Sequence, residues 1–96
     1  MNRIDAVSRL LDEVISDLND AGHEESELTS ILVQCSSQLH KQDEVQFALV
    51  QIRDLCHVKV LGDLNMPNFK GLSWLYKVEK LSKKCQRAIK VIEART

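Results

Sequence analysis

Little in this chain interrupts a regular backbone. Three Gly and one Pro in 96 residues leave few breakers and favour long, regular elements. Aromatic residues are as scarce, with only Phe47, Phe69, Trp74 and Tyr76 present, so a core must be built chiefly from Leu, Ile and Val. The three cysteines, Cys35, Cys56 and Cys85, are odd in number and far apart, and no Cys-x-x-Cys pair occurs. Together with His23, His40 and His57 they match no standard zinc spacing. Reduced thiols on apolar helix faces are the expected state. No apolar run approaches the roughly 18–20 residues of a membrane span. The segment Met1-Asn2-Arg3-Ile4-Asp5 lacks the apolar stretch of a signal peptide, so the expected location is the cytoplasm and no membrane contact is expected.

Catalytic signatures are also missing. There is no Gly-x-Ser-x-Gly, no Gly-rich phosphate loop and no His-Glu-x-x-His. Glu24-Glu25 and Asp43-Glu44 are adjacent carboxylates, but neighbours on a helix point about 100° apart and do not make an acid/base pair by spacing alone. They suit helix N-terminal positions better. Cys56-His57 sets a thiol beside an imidazole, yet helical neighbours seldom bring the ring within hydrogen-bond reach of the sulfur. His40 falls at the end of a helix, where it could meet the helix dipole as a cation. The expectation is a protein that is not an enzyme and needs no cofactor or metal.

What is present is a globular composition, 44% apolar and 28% charged, in a length that suits a single helical domain over 1–96. Ile4, Val7, Leu11, Val14 and Leu18 recur in alternating steps of three and four, the period of an amphipathic helix, predicted over 3–19. Leu10 and Ile15 widen that stripe. Gly22 then suits a left-handed cap. A second helix is predicted from about Glu24 or Ser26, with acids in its first turn and Leu28, Ile31, Leu32, Cys35 and Leu39 on its apolar side. Asp43, with Gln46 three residues on, reads as the N-cap of a third, carrying Val45, Ala48, Leu49, Ile52, Leu55 and Cys56. Residues 57–61 either extend that helix or leave it as an extended tail, ended by Gly62. The stretch 62–71 contains Pro67, which biases Met66 away from helical angles. Leu64, Met66 and Phe69 suggest a loop folded back on the core. A last and longest helix is predicted over 72–94, with Leu75, Val78, Leu81, Cys85, Ala88, Ile89 and Ile92 inward. The expected fold is all-α, a compact bundle of about four helices, with a three-helix core and a protruding last helix as the alternative.

The net charge of −1 conceals a division. Residues 1–65 hold five Lys/Arg and twelve Asp/Glu, 5 − 12 = −7, whereas 66–96 hold eight Lys/Arg and two Glu, 8 − 2 = +6. On the last helix Lys77, Lys80, Lys84 and Arg87 follow steps of three and four, flanked by Lys83 and Lys90. A solvated face is the plain reading of this pattern, and a docking surface for an acidic protein is the functional one. Binding of nucleic-acid phosphates by these lysines is a further reading, against which stand the slightly acidic whole and a Lys-rich helix without a cluster of Arg, Asn and Gln to read bases. Trp74 and Tyr76 at the start of the helix serve either as a core plug or as interface anchors.

Residues 11–55 resemble the small bacterial YmgB/AriR connector proteins, implicated in biofilm and two-component regulation, through the helix containing Leu11-Asp12-Glu13-Val14-Ile15, the break at Gly22 and the two short helices with Leu28, Leu32, Leu39 and Leu49. The resemblance spans less than half the chain, excludes the basic helix, and implies a small regulatory protein. The leading expectation is a non-enzymatic interaction module acting as a regulator, adaptor or inhibitor by binding another protein with an acidic surface. Its candidate contact residues are Trp74, Tyr76, Lys77, Lys80, Lys83, Lys84, Arg87 and Lys90. Alternatives are a nucleic-acid-associated regulator using the same helix, an immunity protein or phage-encoded inhibitor using the acids of 12–27, and a homodimer joined through the near-heptad stripes of the first and last helices.

Overall fold

The computed structural model describes residues 3–94. Four α-helices follow in order: α1 (Arg3–Asp20), α2 (Glu27–Gln38), α3 (Val45–Leu55) and α4 (Ser73–Ala94), with a short 3₁₀ turn at Leu61–Asp63. No strand occurs among the described residues, and α4 is the longest helix, at 22 residues. α1 packs on α2 and α4, and α3 packs on the same two, which closes a ring of four. The last helix is therefore a wall of the bundle and not a protrusion.

The stripes foreseen in the sequence meet at the centre of this ring. Val7, Leu11, Val14 and Leu18 of α1 are wholly buried against Leu32 and Cys35 of α2, Leu49 and Ile52 of α3, and Leu81 and Cys85 of α4. Truncating any of the buried Leu or Ile side chains to Ala costs about 2–5 kcal/mol. These residues fill the chain's own interior.

Several local expectations are corrected. α2 starts at Glu27, with Ser26 as its cap; the Ser26 hydroxyl accepts the Leu28 N–H at 3.3 Å. Glu24 and Glu25 thus precede the helix, and only Glu27 lies in its first turn. At α3 the N-cap position is held by Glu44, without a side-chain cap bond, so the box between Asp43 and Gln46 does not form. Residues 57–63 neither continue α3 nor run extended. The His57 carbonyl accepts from the N–H of Val60 at 2.9 Å and of Gly62 at 3.1 Å, which winds the segment into the 3₁₀ turn. Gly62 is needed there for close approach, because a Cβ on it would meet Leu75 Cδ2 at 2.7 Å.

Gly22 performs the expected capping. Its φ is +88°, its N–H bonds to Asn19 O at 3.1 Å, and the next N–H, of His23, reaches Leu18 O at 2.8 Å. That pair of bonds satisfies the last carbonyls of α1. The loop after the 3₁₀ turn then folds over this corner. His23 Nε2 donates to Asn65 O at 2.7 Å, Asn68 Nδ2 donates to Asp17 O at 3.1 Å, and Met66 is buried. The loop thereby closes one end of the bundle and fixes the start of α4.

Candidate partner-binding face

Helical geometry sorts the residues of α4 into three directions. At about 100° per residue, Val78, Leu81, Cys85, Ala88 and Ile89 point inward and are buried. Tyr76, Lys80, Lys83, Arg87 and Lys90 follow steps of four, three, four and three, and all five are exposed. Lys77 and Lys84, seven apart, lie on the side toward α1.

Two of the eight candidate residues consequently turn into the fold. Trp74 is only 4% exposed, its indole Nε1 donates to Leu61 O at 2.7 Å, and its ring meets Phe69 edge-on at 5.2 Å between centroids. It is the core plug, and its polar edge is satisfied by the 3₁₀ turn. Lys77 reaches Asp17 at 2.5 Å and Glu13 at 3.4 Å on α1, with its ammonium 5.6 Å from the Phe69 ring centre. This cation joins α1 to α4. The sequence pattern did not separate it from the outward row, because its acidic partners lie about sixty positions earlier in the chain.

The remaining six form one surface. Tyr76, Lys80, Lys83, Lys84 and Arg87, with Glu79, line a shallow furrow of about 240 Å³. Below it Arg3 and Ala6 of α1 meet Lys84 and Arg87 in a smaller recess, and Arg3, Arg87, Lys90 and Val91 line another. Arg3 therefore extends the cationic surface across to α1, a contribution that the α4 pattern alone did not reveal. Lys83 pairs with Glu79 at 3.2 Å, one turn away on an exposed face. Among the described residues, Lys80, Lys84, Arg87 and Lys90 form no ion pair within the chain. Tyr76, 64% exposed, heads the row.

The other chemistry-bearing groups do not converge. Burial pushes the thiols of Cys56 and Cys85 up from 9.0 to about 12, and at Cys85 the charge of a neighbouring Cys56 thiolate would add to the rise. Burial raises Cys35 as well. All three are thus protonated at neutral pH, whereas a thiol nucleophile acts as the thiolate. Cys35 and Cys85 are fully buried, and Cys35 donates weakly to Gln51 Oε1 at 3.4 Å. The His57 ring nitrogen Nδ1 accepts the Lys59 N–H at 3.0 Å, a local turn contact. His40 lies at the end of α2, with Nε2 3.5 Å from Ser8 Oγ. Among the described residues, no three His, Cys, Asp or Glu side chains are grouped to hold a metal ion. No described helix is long and apolar enough to cross a membrane.

No family model matches this chain, and neither a curated protein nor a solved structure shows significant similarity to it.

Proposed function

We propose that this protein is a non-enzymatic interaction module that binds an acidic surface of another protein through the outer face of α4. The observation that carries this reading is the row Tyr76–Lys80–Lys83–Arg87–Lys90, which faces solvent while the one inward-leaning lysine of the same half-helix, Lys77, is ion-paired by α1. An exposed Tyr beside cations combines a rigid apolar contact with charge steering, the mixture that protein interfaces use. Such a field raises encounter rates and selects acidic partners more than it adds affinity.

Nucleic acid is the second reading, since the same cations could neutralise phosphates. It is disfavoured by the opposite pole of the molecule. Asp20, Glu24, Glu25 and Glu27 cluster in sequence around the α1–α2 corner, and the whole chain carries −1. A long polyanion would meet that repulsion, whereas a compact partner need not.

The test is affinity capture of tagged protein from its native lysate, with and without nuclease, read by mass spectrometry. A stoichiometric protein that survives nuclease and is released by salt supports the reading. Partners that vanish with nuclease contradict it and move the basic face to nucleic acid.

A further inference from the structure

The cationic row has an apolar neighbour. A second furrow, of about 300 Å³, lies between α4 and the segment that follows α3, lined by Cys56, Val58, Leu75, Val78, Glu79 and Ser82. Glu79 borders both this furrow and the basic one, so the two are adjacent strips of a single surface. Exposed large apolar side chains lie on both strips, Val58 at 58% exposure in the apolar furrow and Tyr76 at 64% in the basic one, and Leu72, just before α4, is 56% exposed. Leu72 is one helical turn before Tyr76, whose N–H bonds to its carbonyl at 3.0 Å.

We propose that the occupant of this double strip is an acidic amphipathic helix of the partner protein, laid along α4. Its apolar side enters the furrow against Val58 and Leu75, and its carboxylates lie over Lys83, Arg87 and Lys90. The proposal rests on the acidic-partner reading and adds the form of the recognised segment.

Three physical points select a helix. An extended peptide binds by adding a strand to a sheet edge, and the described residues contain no strand. A polyproline segment needs a trough of several aromatic rings, and the row offers only Tyr76. A surface made of helix ridges and furrows accepts the side chains of another helix at matching spacing. From Tyr76 to Lys90 the row spans about 21 Å, roughly four turns of a partner helix. Polarity follows from the dipole. Carboxylates are favoured toward the start of a helix, and three of the four α4 cations without an ion pair among the described residues, Lys84, Arg87 and Lys90, lie in its second half. The partner helix therefore runs antiparallel to α4, its carboxylate-bearing first half over Lys83, Arg87 and Lys90 and its second half toward Tyr76, with the apolar stripe facing the furrow throughout.

The experiment uses three fluorescently labelled, capped peptides of about four turns, titrated with the full chain by anisotropy and followed by circular dichroism. One has Glu at alternating steps of three and four in its first half, with Leu on the adjoining stripe. A second carries the same residues scrambled, and a third is the first read backwards. The first is expected to bind with micromolar affinity and to gain helicity, with the other two at least tenfold weaker. Val58→Asp and Lys83→Glu, both at exposed positions, should each weaken it severalfold without changing the helical spectrum of the protein. Equal binding of the ordered and scrambled peptides overturns helix recognition while an acidic partner stands. If no peptide binds and a single-stranded oligonucleotide does, both proposals fall.

Discussion

Lys77 shows how one side chain can be removed from a surface by its surroundings. Its ammonium lies between Asp17 and Glu13 and near the Phe69 ring, and only about a fifth of the lysine and Asp17 side chains is exposed. Deleting the cation leaves the Asp17 carboxylate half-buried without its partner, which costs more than an exposed pair would. Lys77→Met is expected to lower stability by about 1–2 kcal/mol, measured by urea unfolding, and to leave partner binding within about twofold. The thiols give a second prediction at this scale. Those of Cys56 and Cys85 titrate at about 12 in the fold and near 9.0 when free of burial. A raised acid contributes stability that is complete below the lower value and is lost as pH climbs from about 9 toward 12, because the unfolded chain releases protons first. The melting temperature should therefore fall from pH 8 to 10.5, and fall less steeply in Cys85→Ala. Equal slopes would contradict the assignment.

Among the elements, the helix ends show which signals act alone and which need neighbours. Gly22 holds φ +88° with nothing within 4 Å of a Cβ placed on it, so the requirement there is conformational and not steric. Gly22→Ala should cost about 1 kcal/mol in thermal unfolding, and Gly22→Asn less, since Asn tolerates the left-handed region. If Ala and Asn behave alike, the cap is not what Gly22 provides. The four helices were legible because the steps of three and four in Ile4, Val7, Leu11, Val14 and Leu18 reflect one buried face, a property of each helix by itself. The winding of residues 57–63 was not legible. It depends on the His57 carbonyl collecting two N–H groups and on Trp74 bonding to Leu61 O, contacts that no local pattern encodes. Asp43 was a plausible cap by residue type, but α3 starts two residues later, at Val45. The candidate face was half legible. The outward row follows from helical period, whereas the inward turn of Trp74 and Lys77 and the addition of Arg3 depend on where α1 and the closing loop sit.

Across the whole molecule, charge is arranged as two poles. The −7 of residues 1–65 and the +6 of residues 66–96 meet at the α1–α4 contact, where Lys77 pairs with Asp17 and Glu13. What remains on the outer side of α4 is uncompensated within the chain at Lys80, Lys84, Arg87 and Lys90 among the described residues. A field of this kind acts through encounter and is screened over about 8–10 Å by physiological salt. Binding through it should weaken steadily between low and high ionic strength. The bundle interior is separate from this surface, so the face can be altered without disturbing Leu11, Leu49 or Leu81 at the centre.

The central claim is tested most directly by calorimetric affinity for the captured partner, comparing the wild-type chain with Lys80→Glu/Lys83→Glu/Arg87→Glu and with Glu24→Lys/Glu25→Lys at the acidic corner. The account predicts at least a tenfold loss, about 1.4 kcal/mol, for the basic-face variant at an unchanged melting temperature, and little change for the acidic-corner variant. Full affinity in the basic-face variant, with loss in the other, would contradict it and place the contact surface on the acids between α1 and α2.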